Sequence, residues 1–147
     1  MLTKNHQYTL RLHWTGGKAP RKERYYSIDF GDKLTIEGSA DKPFLGDETK
    51  LNPEEMLLGA LTSCHMMSFF YVCRHQKIEI ESYEDNPVGE LSLNNDGSGQ
   101  FDKVILNPQV TFRCPVDEPE LLELHRIAGK LCFIANSLNF PVEYNPQ

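Results

Sequence analysis

Residues 56–72 form the longest apolar run in the chain, broken only by Thr62, Ser63, Cys64, His65 and Ser68. Whatever this chain folds into must bury that run. A helix start stands just ahead of it. Asn52 suits the N-cap, Pro53 suits the first helical position, and Glu55 completes a capping box. The spacing predicts a helix over residues 53–75, about 34 Å long at 1.5 Å per residue. Apolar side chains cover nearly its whole circumference, which predicts burial on most sides. The run is just short of a bilayer span, and the rest of the chain reads as amphipathic strands, so the expectation is a core helix and no membrane partner. One small sheet cannot cover such a helix, and the expected source of further cover is a second subunit.

The flanking segments alternate. Tyr8, Leu10, Leu12 and Trp14 predict a half-buried strand that stops at Gly16-Gly17. Tyr26, Ile28 and Phe30 predict a second strand, turning at Gly31-Asp32, and Leu34 and Ile36 a third, ending at Gly38. Residues 41–50 form a polar loop. Beyond the helix, Ile78 and Ile80 open another strand. Residues 88–93 and 104–112 flank the turn-forming residues 94–99 as a hairpin. Asp117 and Glu120 predict a capping box around Pro119, followed by a helical stripe of Leu121, Leu124, Ile127, Ala128 and Leu131. Residues 141–144 read as a last short strand. The order is βββ-α-ββ-α-β in one α+β domain spanning residues 1–147.

The formal net charge of -6 argues against a nucleic-acid partner, which needs a basic face. The N-terminal residues carry no apolar signal core, so the expected compartment is the cytoplasm. Cysteines there are reactive, metal-binding or simply buried. The chain has four: Cys64, Cys73, Cys114 and Cys132. None forms a CxxC pair, so neither a zinc ribbon nor a thioredoxin motif is present.

Helical geometry sorts the candidates. Cys73 lies nine residues beyond Cys64, about 13 Å away on the opposite face, and cannot pair with it in an intact helix. Cys114 precedes Pro115 at a strand end and reads as structural. Cys132 follows the second helical stripe and is the one cysteine whose position relative to Cys64 is geometrically free. His65 points about 100° away from Cys64 and is a poor base for it; it reads as a satisfied or interface histidine. Glu54 stands about 15 Å from Cys64 along a straight helix, so it reaches a Cys64 only from a neighbouring chain, or else serves as a first-turn carboxylate. A metal set of Cys64, His65, His125 and Cys132 is chemically acceptable but matches no common zinc spacing. No phosphate-binding glycine loop is present, and no cofactor is expected.

The segment Asn52-Pro53-Glu54-Glu55-Met56-Leu57-Leu58-Gly59-Ala60-Leu61-Thr62-Ser63-Cys64-His65-Met66-Met67 resembles the first-cysteine signature of the OsmC/Ohr family. Phe44-Leu45-Gly46-Asp47 resembles that family's preceding loop. Cys132-Phe133-Ile134-Ala135-Asn136-Ser137, then Phe140-Pro141-Val142, resembles its second-cysteine segment. The resemblance covers residues 8–144. It implies an OsmC-like fold forming an intertwined homodimer with active sites at the subunit interface. It also implies a thiol peroxidase that reduces organic hydroperoxides. Cys64 would be the peroxidatic cysteine, Cys132 the resolving one, and Glu54 the carboxylate that orients an arginine over the thiolate. Members with this pattern often carry an arginine after the second-strand Tyr-Ser; here Tyr26-Ser27 is followed by Ile28, and Gly17 by Lys18. The basic candidates are Lys18, Arg21 and Arg24, of which Arg21 is taken as the cation. The reductant would be a dithiol: a lipoylated protein, thioredoxin or a small thiol. Three other classes compete: a binding or sensing module with inert cysteines, a thiol-dependent hydrolase or transferase, and a zinc protein.

Overall fold

A computed structural model describes residues 4–14, 16 and 22–147. The chain divides into two compact units, Met1–Met56 and Leu57–Gln147.

The N-terminal unit is built on an antiparallel meander, β1 (Arg11–His13), β2 (Tyr26–Asp29) and β3 (Thr35–Gly38), in the order predicted. The β2 to β3 turn is closed by Phe30 N–H donating to the Leu34 carbonyl at 2.9 Å, with Gly31 at φ 69°. The β1 alternation does not produce a half-buried strand. Tyr8 and Leu10 are exposed, as are Leu12 at 63% and Trp14 at 62%, because no described residue covers that side. The 41–50 loop is tied down by Asp47. Its carboxylate accepts from Thr49 N–H at 2.9 Å, from the Thr49 hydroxyl at 2.7 Å and from the Tyr25 hydroxyl. These bonds, the Tyr25 one foremost, hold the Asp47 carboxyl down at about 2.

Helix α1 (Pro53–His75) starts and ends where the sequence places it. Its capping box is complete: Glu55 N–H donates to Asn52 Oδ1 at 2.8 Å, and Asn52 N–H donates to Glu55 Oε2 at 3.1 Å. On length and composition this 23-residue helix could cross a membrane. Its buried stripe of Leu61, His65, Phe69, Val72 and Cys73 instead packs on protein. The expected burial on most sides is not met within one chain. Met67 and Tyr71, on the opposite stripe, are 62% and 57% exposed.

The C-terminal unit departs from the predicted order. Four strands separate the helices, where the alternation marks three segments and the stated order two: β4 (Ile80–Asp85), β5 (Val88–Leu93), β6 (Gly99–Leu106) and β7 (Pro108–Phe112). The apolar alternation of 104–112 breaks at Asn107, where the chain changes sheets. β6 pairs antiparallel with β5, while β7 pairs antiparallel with β4. Asn107 N–H leaves the ladder and donates to the Asp85 carboxylate at 2.8 Å. Pro108 then opens β7, a position where its missing N–H is tolerated. The predicted hairpin residues 94–99 do turn, with Gly97 at φ 84°. Helix α2 (Glu118–Leu131) begins at Asp117, which accepts from Glu120 N–H at 2.9 Å. The last strand, β8 (Val142–Tyr144), adds parallel to β6.

Two apolar clusters result. Phe69, Val72 and Cys73 of α1 meet Leu124 and Ala128 of α2. Leu61 meets Val104, Leu106 and Cys132, with Cys64 packed against this second group.

Candidate redox site

Cys132 caps α2 and is fully buried. Its sulfur accepts from Ala135 N–H at 3.4 Å. The turn that follows is stabilised by Asn136 N–H donating to the Cys132 carbonyl at 3.0 Å. This geometry packs the Cys132 side chain with Leu61 of α1, in the cluster against which Cys64 packs. Both are free thiols. Burial pushes the Cys132 thiol up to about 11; the Ala135 amide opposes the shift and the Cys64 neighbour adds to it. A thiol with that value keeps its proton near neutral pH.

Cys64 is half-buried and opens onto a cavity of about 420 Å³. Met67, Ser68 and Tyr71 of α1 form one wall of that cavity, and Leu131 and Phe133 the other. Its surface is almost wholly apolar, with the Ser68 hydroxyl turned to the Cys64 carbonyl at 3.0 Å. The arrangement presents one accessible thiol to an apolar ligand and a second, sheltered thiol behind it.

The other cysteines do not join this pair. Cys73 is buried in the first cluster, where burial pushes it up to about 11. Cys114 is exposed beyond β7. Among the described residues no group of three or more His, Cys, Asp or Glu side chains could hold a metal ion, so the set Cys64, His65, His125 and Cys132 is not gathered as ligands.

Glu54 lies in the first turn of α1, half-buried, in the N-terminal unit. It faces Tyr26, whose hydroxyl is pushed up by burial first and by the Glu54 charge second. Arg24 is exposed and lines a cavity of about 590 Å³ in the same unit, with Leu12, Trp14, Tyr26, Pro53 and Met56. Arg21 and Lys18 lie outside the described residues.

One arrangement is absent from the sequence reading. His65 and His125 form a buried hydrogen-bonded pair beside the cysteines. His65 was read there as satisfied or at an interface, and His125 only as a zinc candidate. Their 60-residue separation gives no local signal of contact.

The OsmC family, described as OsmC-like protein, matches residues 46–146. An OsmC-like protein of unknown function from Vibrio cholerae superposes with a TM-score of 0.85 at 30% identity, covering 97% of this chain and 100% of that one. An organic hydroperoxide resistance protein OsmC from Legionella pneumophila has a TM-score of 0.75 at 19% identity, covering 97% of each chain. The organic hydroperoxide resistance protein OhrB of Bacillus subtilis has a TM-score of 0.73 at 21% identity, covering 95% of this chain and 98% of its own. The uncharacterized protein YmaD of Bacillus subtilis is 23% identical over 142 residues, 95% of this chain and 91% of that protein. The chain belongs to the OsmC-like protein family.

Proposed function

We propose that this protein is a thiol-dependent peroxidase that reduces organic hydroperoxides to alcohols. The observation that carries the reading is the half-buried Cys64, which opens onto an apolar cavity and packs against the cluster that buries Cys132. The Cys64 thiolate attacks the outer peroxide oxygen, the alcohol leaves, and Cys64 becomes a sulfenic acid. The Cys132 sulfur attacks that sulfenic sulfur, and its proton leaves with the hydroxyl as water. A disulfide between Cys64 and Cys132 remains. A dithiol such as a lipoylated protein, thioredoxin or a small thiol restores both by exchange.

The active unit is a cytoplasmic homodimer. The exposed Met67 and Tyr71 stripe of a helix that is apolar all round supports this, as does the uncovered side of β1. The resemblance assigns activation of the thiolate to Arg21, which lies outside the described residues, and to Glu54. The Legionella pneumophila and Bacillus subtilis hydroperoxide resistance proteins make an organic hydroperoxide the natural first substrate class to try.

The test is consumption of cumene hydroperoxide and of hydrogen peroxide by the native protein with a dithiol reductant. Faster turnover of the organic peroxide is expected, because the cavity can bury its phenyl group. An absence of dithiol-dependent turnover with either peroxide overturns the reading. The cavity wall gives a finer check. Leu131→Asn is expected to lower kcat/KM for cumene hydroperoxide roughly tenfold and to leave hydrogen peroxide within about twofold. An equal loss for both peroxides would mean that the wall does not hold the organic group.

A further inference from the structure

His65 of α1 and His125 of α2 are both fully buried, and His65 Nε2 meets His125 Nδ1 at 2.9 Å. Their outer nitrogens, His65 Nδ1 and His125 Nε2, have no hydrogen-bond partner among the described residues. Tautomer logic makes this arrangement costly. When His65 donates its inner N–H, His125 must carry its own proton on the outer nitrogen. When His125 donates, His65 must. Either neutral tautomer therefore leaves one buried N–H unpaired, which is unfavourable. A phenyl pair would carry no such cost, although its carbon edges could not approach to 2.9 Å. The surrounding contacts are already those of aromatic packing: Tyr144 stacks on His65 at 4.6 Å between centroids, and Phe69 stacks on His125 at 4.2 Å.

What an imidazole pair supplies and a phenyl pair does not is direction. A hydrogen bond 2.9 Å long fixes both the separation and the register of the two helices that carry it. Those same helices carry the thiols. His65 follows Cys64 in the chain, and His125 stands about two turns ahead of Cys132. Tyr144 reaches both parts of the array. Its ring lies on His65, its hydroxyl lies close against Gly129 near the end of α2, and it packs against the cluster that holds Cys132.

We infer that the hydrogen bond between His65 and His125 is a positioning device for the redox pair. It holds α1 and α2 in the register that keeps the Cys132 thiol within reach of Cys64. The inference rests on the proposed reading in one respect, that the two cysteines close a disulfide, and does not need the oxidant to be a peroxide.

Exchange with oxidised dithiothreitol isolates that step. One S–S bond closes in the protein and one opens in the reagent; two electrons and two protons pass to the reagent, which leaves as its dithiol. The closure equilibrium is measured in dithiothreitol redox buffers at neutral pH for three proteins: native, the double variant His65→Phe with His125→Phe, and His125→Asn. Thermal unfolding of each is recorded alongside. The double variant is expected to fold cooperatively, with its closure constant lowered about tenfold, the size of one lost net hydrogen bond. His125→Asn, whose amide stands where Nδ1 does, is expected to stay within about twofold of native. A role in packing alone would move the unfolding midpoint and leave the closure constant in place. A folded double variant with native closure overturns the inference, as does an asparagine variant no better than the phenylalanine one. Should the double variant not fold, His125→Gln supplies the unlinked state, because its longer side chain carries the amide off the Nδ1 position; native closure in that variant also overturns it. Loss of peroxide turnover with closure intact sinks the peroxidase reading and leaves this one standing.

Discussion

Cys64→Ser is expected to lower organic hydroperoxide turnover by about three orders of magnitude or more, while Cys132→Ser stops the protein after a single turnover. The two substitutions remove different halves of one cycle. A serine hydroxyl is almost wholly protonated near neutral pH and is a poor nucleophile toward a peroxide oxygen, so Cys64→Ser leaves nothing to take the first oxygen. Cys132 is sheltered behind Cys64 and keeps its proton, so it takes no part in that first step. Its loss removes only the resolving sulfur. One equivalent of alcohol should form per active thiol, and the sulfenic acid should persist long enough to be trapped by a dione reagent and seen by mass spectrometry. Further turnover then depends on a small thiol reaching Cys64 through the cavity formed by Met67, Tyr71, Leu131 and Phe133. A Cys64→Ser protein that still consumes the organic peroxide in a dithiol-dependent way would sink the assignment. So would a Cys132→Ser protein with unchanged steady-state turnover, since Cys132 would then resolve nothing.

How far this site is legible in the chain depends on how local its signals are. Helix α1 is legible to the residue because Asn52, Pro53 and Glu55 are all within its first turn and report on one another. The break at Asn107 is not, because an alternation that changes sheets in mid-run looks the same as one that continues. Only the pairing of β7 with β4 and of β6 with β5 distinguishes the two. Helical spacing eliminates Cys73 as a partner for Cys64 and leaves Cys132 open. The resemblance implies their pairing, and the turn at Ala135 and Asn136 follows Cys132 where it joins the cluster that Cys64 packs against. Periodicity overstates the burial of α1 within one chain, since it registers how apolar a face is and not which molecule covers it. The His65/His125 pair escapes altogether, for a histidine on an apolar helix carries no mark of its partner.

That pair also carries the largest effect expected from a change of conditions: acid should destabilise the protein well before its carboxylates titrate. Burial holds His65 down at about 4, and burial followed by the neighbouring His65 holds His125 down at about 3. In the unfolded chain both would sit near 6.5. The folded values are the lower ones, so below about pH 6.5 the unfolded state binds more protons than the folded state. Stability is therefore fully present above that pH and falls as the pH falls. Each histidine approaches a slope of about 1.4 kcal/mol per pH unit below its unfolded value, so the pair removes about 3 kcal/mol between pH 6.5 and pH 5. That is a large part of the roughly 5–15 kcal/mol that holds a domain folded. The lowered carboxylates Glu37, Asp47, Asp96 and Glu123 lose their contributions further down, as the pH falls below their ordinary range near 4. Tyr144, packed on His65, is pushed up to about 12 by burial and stays neutral throughout. The window from pH 6.5 to 5 thus belongs to the histidines. Urea midpoints measured across it should fall steeply for the native protein and stay nearly level for the double variant His65→Phe with His125→Phe. A native midpoint that does not move, or a double variant that falls just as steeply, would mean that the acid response arises outside the pair.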